Sequence, residues 1–319
     1  MSLVSRSARV NLETDTWRRE PWTWVAIVVA LLLWASAFAG IRAGLQSYGP
    51  GQVALLRFGT ASAVFFAYAT FTRMPLPDSR DLPRIALAGF LGITVYHVAL
   101  NFGEVTVTAG AASLIISASP IITALLSAFL IRERLSVVGW IGIVISFFGV
   151  ALISFGEGGH LSFEPGAALV FLAAITTSLY FVVSKRPLRR YSATQFTAYA
   201  IWAGTIPMLV FAPGLVSQMA DATAAATWAV LYMGVFPGAA AYVLWSYALA
   251  RMPASVLSTF LYFQPLNAIL IAWVWLGEVP ATLALIGGAI SLAGVVAVNT
   301  RGRGAPPVRA AVSSTAKDA

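Results

Sequence analysis

Cysteine is absent from all 319 residues. That excludes disulfides, thiolate metal sites and cysteine nucleophiles, and leaves the redox compartment open. Histidine occurs only at His97 and His160, too few and too far apart for a zinc motif. No phosphate-cradling glycine loop with its lysine is present, which argues against direct ATP hydrolysis. A selectivity-filter segment and an arginine-rich voltage helix are missing too. No cofactor and no metal are expected. Charge is scarce, at 10% of residues, against about 25% in soluble domains. What fills the chain is apolar: 59% hydrophobic residues and a mean hydropathy of +0.82. Together these exclude a soluble enzyme, a disordered protein and a nucleic-acid binder. The pI of about 10.1 is a topology signal, because the basic residues sit between apolar runs.

A membrane-spanning helix needs about 20 apolar residues. Ten runs qualify, near 23–44, 51–71, 82–103, 108–130, 137–155, 165–185, 192–212, 225–248, 254–276 and 281–299. The first lacks the small-residue cleavage site of a signal peptide. Breakers separate the runs: Tyr48-Gly49-Pro50-Gly51, Met74-Pro75-Leu76-Pro77, Gly156-Glu157-Gly158-Gly159 and Ala212-Pro213-Gly214. Residues 1–22 form a polar tail, and residues 300–319 a second tail expected to be disordered. With ten spans both termini share one side. The tails and the even-numbered loops hold 18 of the 20 basic residues, among them Arg18, Arg19, Arg73, Arg132, Arg190 and Arg251. The positive-inside rule then places both termini in the cytoplasm; the membrane is expected to be a bacterial-type plasma (inner) membrane.

Residues 108–153 align without gaps to 253–298 at an offset of 145, with 11 identities in 46 pairs. These include Ser113/Ser258, Pro120/Pro265, Glu133/Glu278, Gly142/Gly287, Ser146/Ser291 and Gly149/Gly294. Earlier in each half, Phe38, Arg42, Tyr48 and Gln52 match Phe181, Lys185, Tyr191 and Gln195 at an offset of 143. The expectation is an all-α membrane protein built as two five-helix repeats, over 23–155 and 165–299. Five is odd, so the second repeat enters the membrane from the opposite face. Inverted repeats are the recurring plan of secondary transporters, with the substrate near midplane between the halves.

The Trp34-Ala35-Ser36-Ala37-Phe38 stretch with Arg42, the two five-span repeats and the repeated Pro…Glu…Gly-Val run resemble the drug/metabolite transporter superfamily, in its EamA family. The resemblance covers about residues 25–299. It implies alternating-access export of amino acids and related metabolites, in the branch that includes exporters of aromatic amino acids. An importer or exchanger of sugars, nucleotides or nucleotide sugars on the same fold is the alternative. An intramembrane enzyme would need a deep acid–base pair, and only His97 is a deep candidate. The expected partners are a small-molecule substrate and the lipid bilayer, with no nucleic acid and no ATP; a monomer is compatible with the sequence.

Pro120 and Pro265 fall mid-run at equivalent positions, where each would free a carbonyl, at Ile116 and Leu261. Interrupted helices at matching positions of two halves point to the transport site. Around them lie Ser117 and its equivalent Tyr262, with Gln264 and Asn267. The third run carries a polar stripe of Tyr96, His97, Asn101 and Glu104, whose equivalents in the eighth are Ala241, Tyr242, Ser246 and Leu249, with Trp245 opposite Leu100. His97 suits a substrate carboxylate or a proton. Glu104 is expected as a solvated surface carboxylate. Trp34 and Trp245, joined by Tyr180, are expected to wall the cavity, while Trp22, Trp24 and Trp228 fit an interfacial belt. Arg57, inside the second run, is expected to be structural, either snorkelling or paired; unpaired at midplane it would cost about 2.5–3.5 kcal/mol. Glu133 and Glu278 occupy equivalent short junctions, as helix-start carboxylates and as hinges.

Overall fold

Backbone groups in hydrocarbon have no water to bond, so apolar runs of this length become helices. A computed structural model describes residues 20–131, 137–157 and 164–301. The described residues are helical, with no strand. The first helices are α1 (Pro21–Gly44) and α2 (Pro50–Thr72). Each starts on a proline, whose missing N–H costs nothing at that position. Then come α3 (Leu82–Gly89), a π-helical segment (Phe90–Val95) and α4 (Tyr96–Gly103). They are followed by α5 (Ala109–Ile116), α6 (Ser119–Ile131) and α7 (Val137–Glu157). The second half comprises α8 (Pro165–Ser184), α9 (Ala193–Met208), α10 (Leu215–Asp221) and α11 (Ala224–Met233). It continues through a second π-helical segment (Gly234–Ala240) into α12 (Ala241–Arg251). The last elements are α13 (Ala254–Leu257), a 3-10 segment (Ser258–Phe263), α14 (Gln264–Leu276) and α15 (Thr282–Arg301).

Among the described residues, six helical stretches are long and apolar enough to cross a membrane: Pro21–Gly44, Pro50–Thr72, Leu82–Gly103, Pro165–Arg189, Ala224–Arg251 and Ser258–Leu276. A seventh forms if Ala193–Phe211 and Leu215–Asp221, bent by 82°, count as one. The chain is a multi-pass membrane protein. Three further apolar helical stretches, Ala109–Thr123, Trp140–Ile153 and Thr282–Ala297, lie among the described residues. In the first of these a turn at Ser117–Ala118 ends the helix early. Helix α1 shows how the apolar surface is divided. Val25, Val28, Val29 and Leu32 form an exposed stripe, and Ala26, Ile27, Ala30 and Leu31 are buried. Both faces are apolar, as a helix between lipid and a protein core requires. Trp22 and Trp228 are more than two-thirds exposed and Trp24 partly so, consistent with a belt position.

The internal repeat is also a spatial two-fold. Ser146 and Ser291, 145 positions apart, share a 3.0 Å hydrogen bond. His97 and Tyr242, also 145 apart, share one of 2.9 Å. Ser62 and Thr205, 143 apart, share one of 3.0 Å. A residue that touches its own equivalent must lie at the axis relating the halves. Three such pairs put that axis through α7/α15, α4/α12 and α2/α9. Close helix approach follows the same symmetry. A Cβ on Gly89 would strike Ala200 O, and one on Gly234 would lie 2.6 Å from Arg57 O.

One polar tie crosses between the halves outside the helices. Arg190 reaches Asp81 at 2.6 Å and Asp78 at 3.3 Å. The Tyr191 hydroxyl donates to Asp81 at 2.8 Å. The Asp78 carboxyl is held below its ordinary value of 3.8, first by the Arg80 backbone N–H and then by Arg190. A lowered carboxyl stabilises the fold above its ordinary value and loses that contribution as pH falls through the lowered one. The melting temperature in detergent is therefore expected to drop on acidification below about pH 4, and the drop should be shallower in Asp78→Asn. An acid limb unchanged by Asp78→Asn would show that this tie does not contribute.

Candidate functional site

The π-helical segments are the structural origin of the site. They occupy equivalent positions in the two halves, Phe90–Val95 and Gly234–Ala240. A π turn interrupts the ordinary ladder and is common at functional positions. Its exposed carbonyls take side-chain donors here. Gly92 O accepts from the Tyr242 hydroxyl at 3.0 Å, and Pro237 O accepts from Trp34 Nε1 at 3.1 Å. Gly92 and Pro237 are themselves 145 apart, so each half offers the same carbonyl. Directly after the two segments come Tyr96-His97 and Ala241-Tyr242, which carries His97 and Tyr242 to the axis.

A cavity lies there between the halves. Its apolar wall includes Trp34, Phe38, Phe181 and Leu261. Its polar lining includes Arg57, Tyr96, His97, Tyr242 and Gln264. Tyr242 spends its only proton on Gly92 O, so His97 Nε2 must donate to the Tyr242 oxygen. This fixes the tautomer and leaves His97 Nδ1 as an acceptor. That atom is buried and has no partner. Phe58 and Tyr96 hold the imidazole from two sides, with centroids at 4.4 and 4.5 Å.

Of the residues expected at the site, Trp34, Tyr96, His97, Tyr242 and Gln264 line the cavity. Trp245 and Tyr180 stand one layer behind. Trp245 is fully buried against Trp34 at 4.9 Å and Phe181 at 5.5 Å, and Tyr180 lies 6.1 Å from Tyr242. Ser246 accepts a hydrogen bond from Thr197 at 2.9 Å, away from the lining. Asn101 donates to Pro50 O at 3.1 Å, and Ser117 bonds back to Leu114 O. Asn267 caps its own helix at Phe263 O. Tyr262 packs on the small cluster of Ile121, Ile143 and Val295.

At Pro120 and Pro265 the α-helix is interrupted. Each is the second residue of α6 or α14, after a turn at Ser117–Ala118 or the 3-10 segment Ser258–Phe263. Near Pro265 the tighter 3-10 turn lets Leu261 O accept from Gln264 N, so the carbonyl does not depend on the N–H that proline lacks. Ile116 and Leu261, the residues one turn earlier, both line the cavity.

Two charged residues depart from expectation. Glu104 is not solvated: it is fully buried, and neither carboxylate oxygen has a hydrogen-bond partner. Arg57 does not snorkel. It is 1% exposed, it lines the cavity, and its Nε and Nη1 have no partner. An arginine inside an apolar run was visible in the sequence, but the burial of two of its nitrogens without hydrogen-bond partners was not.

Beyond the cavity, Arg42 ends α1 one turn after Phe38. Its guanidinium meets the Glu278 carboxylate at 2.8 Å and donates to Glu104 O at 2.7 Å and Val105 O at 3.3 Å. The other Glu278 oxygen accepts from Ala109 N, at the start of α5, at 3.5 Å. The expected helix-start role of Glu278 is therefore filled on a helix of the opposite half. Glu133, its equivalent, lies outside the described residues. Lys185, the equivalent of Arg42, donates to Leu249 O at 2.5 Å and to Met252 O. Leu249 is the equivalent of Glu104, so the same carbonyl is used in each half.

The sequence profile described as the EamA-like transporter family matches the chain twice, over residues 21–155 and 164–300. The chain belongs to the EamA-like transporter family. Among EamA-like relatives it is 43% identical over 263 residues to YdfC, an uncharacterized transporter of Bacillus subtilis (strain 168). That match covers 82% of this chain and 86% of YdfC. It is 40% identical over 276 residues to a probable terminal-alkyne amino-acid exporter of Streptantibioticus cattleyicolor, covering 86% of this chain and 93% of the relative. A solved crystal structure at 20% identity superposes with a TM-score of 0.59, covering 86% of this chain and 95% of that one; it shows the fold alone. This EamA-like transporter thus combines a two-fold repeat with a cavity on its axis.

Proposed function

We propose that this transporter exports amino acids, aromatic ones included, and related small metabolites by alternating access. The observation that carries the reading is the cavity on the axis, walled by Trp34, Phe38 and Phe181 and floored by Arg57, His97 and Gln264. Aromatic faces suit a large apolar side chain, and the polar groups suit a small charged head. The relative that is a probable terminal-alkyne amino-acid exporter supports the same substrate class. On this reading all ten helical runs cross the bilayer as two inverted five-helix repeats, with both termini cytoplasmic, as the loop charges favour. Trp245, Tyr180 and Ser246 support the wall from behind. Arg42 and Glu278 close the end of the cavity nearer α1's C-terminus, and exchange of the halves' conformations opens it.

Efflux tests this directly. Proteoliposomes loaded with radiolabelled phenylalanine should release it in a saturable manner, and unlabelled leucine or tyrosine inside should slow the release. A pH gradient separates a facilitator from a proton-coupled carrier. Vesicles that release no amino acid with or without the gradient, while releasing a sugar or nucleotide, would replace this reading with the alternative.

A further inference from the structure

The polar atoms of the cavity are unpaired in a complementary set. Arg57 Nε and Nη1 are buried donors without acceptors. Gln264 Oε1 and His97 Nδ1 are buried acceptors without donors. All three residues line the same cavity, and no ion pair joins Arg57 to a carboxylate among the described residues. Other orphaned atoms, such as Trp245 Nε1 and Ser184 Oγ, belong to residues outside the lining. Buried orphans are rare, because each forfeits its hydration with nothing in return. A guanidinium is the most costly of them, since it cannot neutralise itself by losing a proton.

From this pattern we infer that Arg57 is a seat for a substrate carboxylate, and that Gln264 Oε1 with His97 Nδ1 receives the substrate's ammonium. The inference rests on the transporter reading and deepens it. A carboxylate supplies both the acceptor oxygens and the negative charge that these buried guanidinium donors lack. An ammonium carries three donors and no acceptor, which is what two orphaned acceptors require. The remaining wall, Trp34, Phe38, Phe181 and Leu261, is left for an apolar side chain. A zwitterionic α-amino acid carries all three features. A sugar carries no group for the guanidinium's charge. A phosphate would satisfy Arg57 but offers the two acceptors at most a hydroxyl proton, where an ammonium offers three N–H donors.

Binding to the purified wild type, read from tryptophan fluorescence and from thermal shift, tests the seat without requiring transport. Trp34 in the wall supplies the signal. The probes are L-phenylalanine, 3-phenylpropionate, L-phenylalaninamide and phenethylamine. Phenylalanine should bind best, with phenylpropionate weaker by about tenfold for its lost ammonium. Phenylalaninamide and phenethylamine should be weaker than phenylalanine by about 30-fold or more, because they leave the guanidinium unpaired. In Arg57→Gln the preference for acid over amide should vanish, and Arg57→Lys should keep part of it. The wild-type series still decides if Arg57→Gln does not fold.

Equal binding of acid and amide overturns the seat, and so does a folded wild type that binds neither acid. Acid-selective binding without efflux of any amino acid would retire the export reading and leave the seat standing. Efflux with no distinction between acid and amide would do the reverse.

Discussion

Gly149→Leu should yield no folded transporter, and Gly294→Leu should fail in the same way. Helices α7 and α15 meet at the two-fold so closely that their glycines face backbone. A Cβ on Gly149 would strike Ser291 N and lie 2.5 Å from Gly287 O. A Cβ on Gly294 would lie 2.5 Å from Gly142 O and 2.6 Å from Ser146 N. Backbone cannot swing aside as a side chain does, so the helices must part. Parting them breaks the Ser146–Ser291 bond and the packing that holds small-residue interfaces in lipid. The penalty is expected at about 3 kcal/mol or more, the upper end of overpacking. Gly59 in α2 is the control, since a Cβ there meets nothing within 4 Å. Gly59→Ala should be neutral or stabilising by up to about 1 kcal/mol, from helix propensity. Fluorescence-detected size exclusion after a temperature ramp reads all three variants. A Gly149→Leu protein that elutes and melts like the wild type would show that the two helices do not meet this closely.

How far the sequence carried the structure depends on how local each feature was. Matched Ser146/Ser291 and Gly149/Gly294 were legible because identity in register survives where two copies of one helix meet at an axis. His97 and Tyr242 were aligned by the same offset, but their contact was hidden because the residues differ. The π-helical segments left only a faint trace, the glycines at 89 and 234 in equivalent places, since an extra residue in one turn has no composition of its own. The prolines marked where the α-helix is interrupted, beside a turn at Ser117–Ala118 and a 3-10 segment at Ser258–Phe263. Composition locates an interruption, and only packing decides its form. Glu104 and Arg57 were misplaced for one reason: burial of a charge is a property of what surrounds it.

The two halves share a fold but differ in how one equivalent cation is tied. Arg42 and Lys185 are equivalent, and each bonds a carbonyl at the same register, Glu104 O and Leu249 O. Arg42 also reaches across to Glu278 in the opposite half. The two carbonyls that Lys185 bonds, those of Leu249 and Met252, belong to its own half. A carrier with related halves needs such a difference, because a fully symmetric one would present the same opening at both faces. Four residues of α1 separate Phe38 in the cavity wall from Arg42, about 6 Å along the helix. The ion pair therefore sits one turn above the cavity.

Glu278→Gln is expected to open that end. The amide cannot balance the guanidinium, so Arg42 keeps only its carbonyl partners and the two halves lose their charged link. Both side chains are about one-quarter exposed, so the loss is less than that of a fully buried pair. A difference of about 1.4 kcal/mol moves the population tenfold. The absence of cysteine from the chain makes this measurable. Ala37→Cys places one thiol in the cavity wall, and Gln46→Cys places one at an exposed position beyond α1. A membrane-impermeant thiol reagent added to that face should modify Gln46→Cys equally with or without Glu278→Gln. It should modify Ala37→Cys about tenfold faster when Glu278→Gln is present. Restoring a swapped pair, Arg42→Glu with Glu278→Arg, should slow the reaction toward its original rate. The single substitution with unchanged Ala37→Cys labelling would mean that this bridge fastens two helices without closing a path.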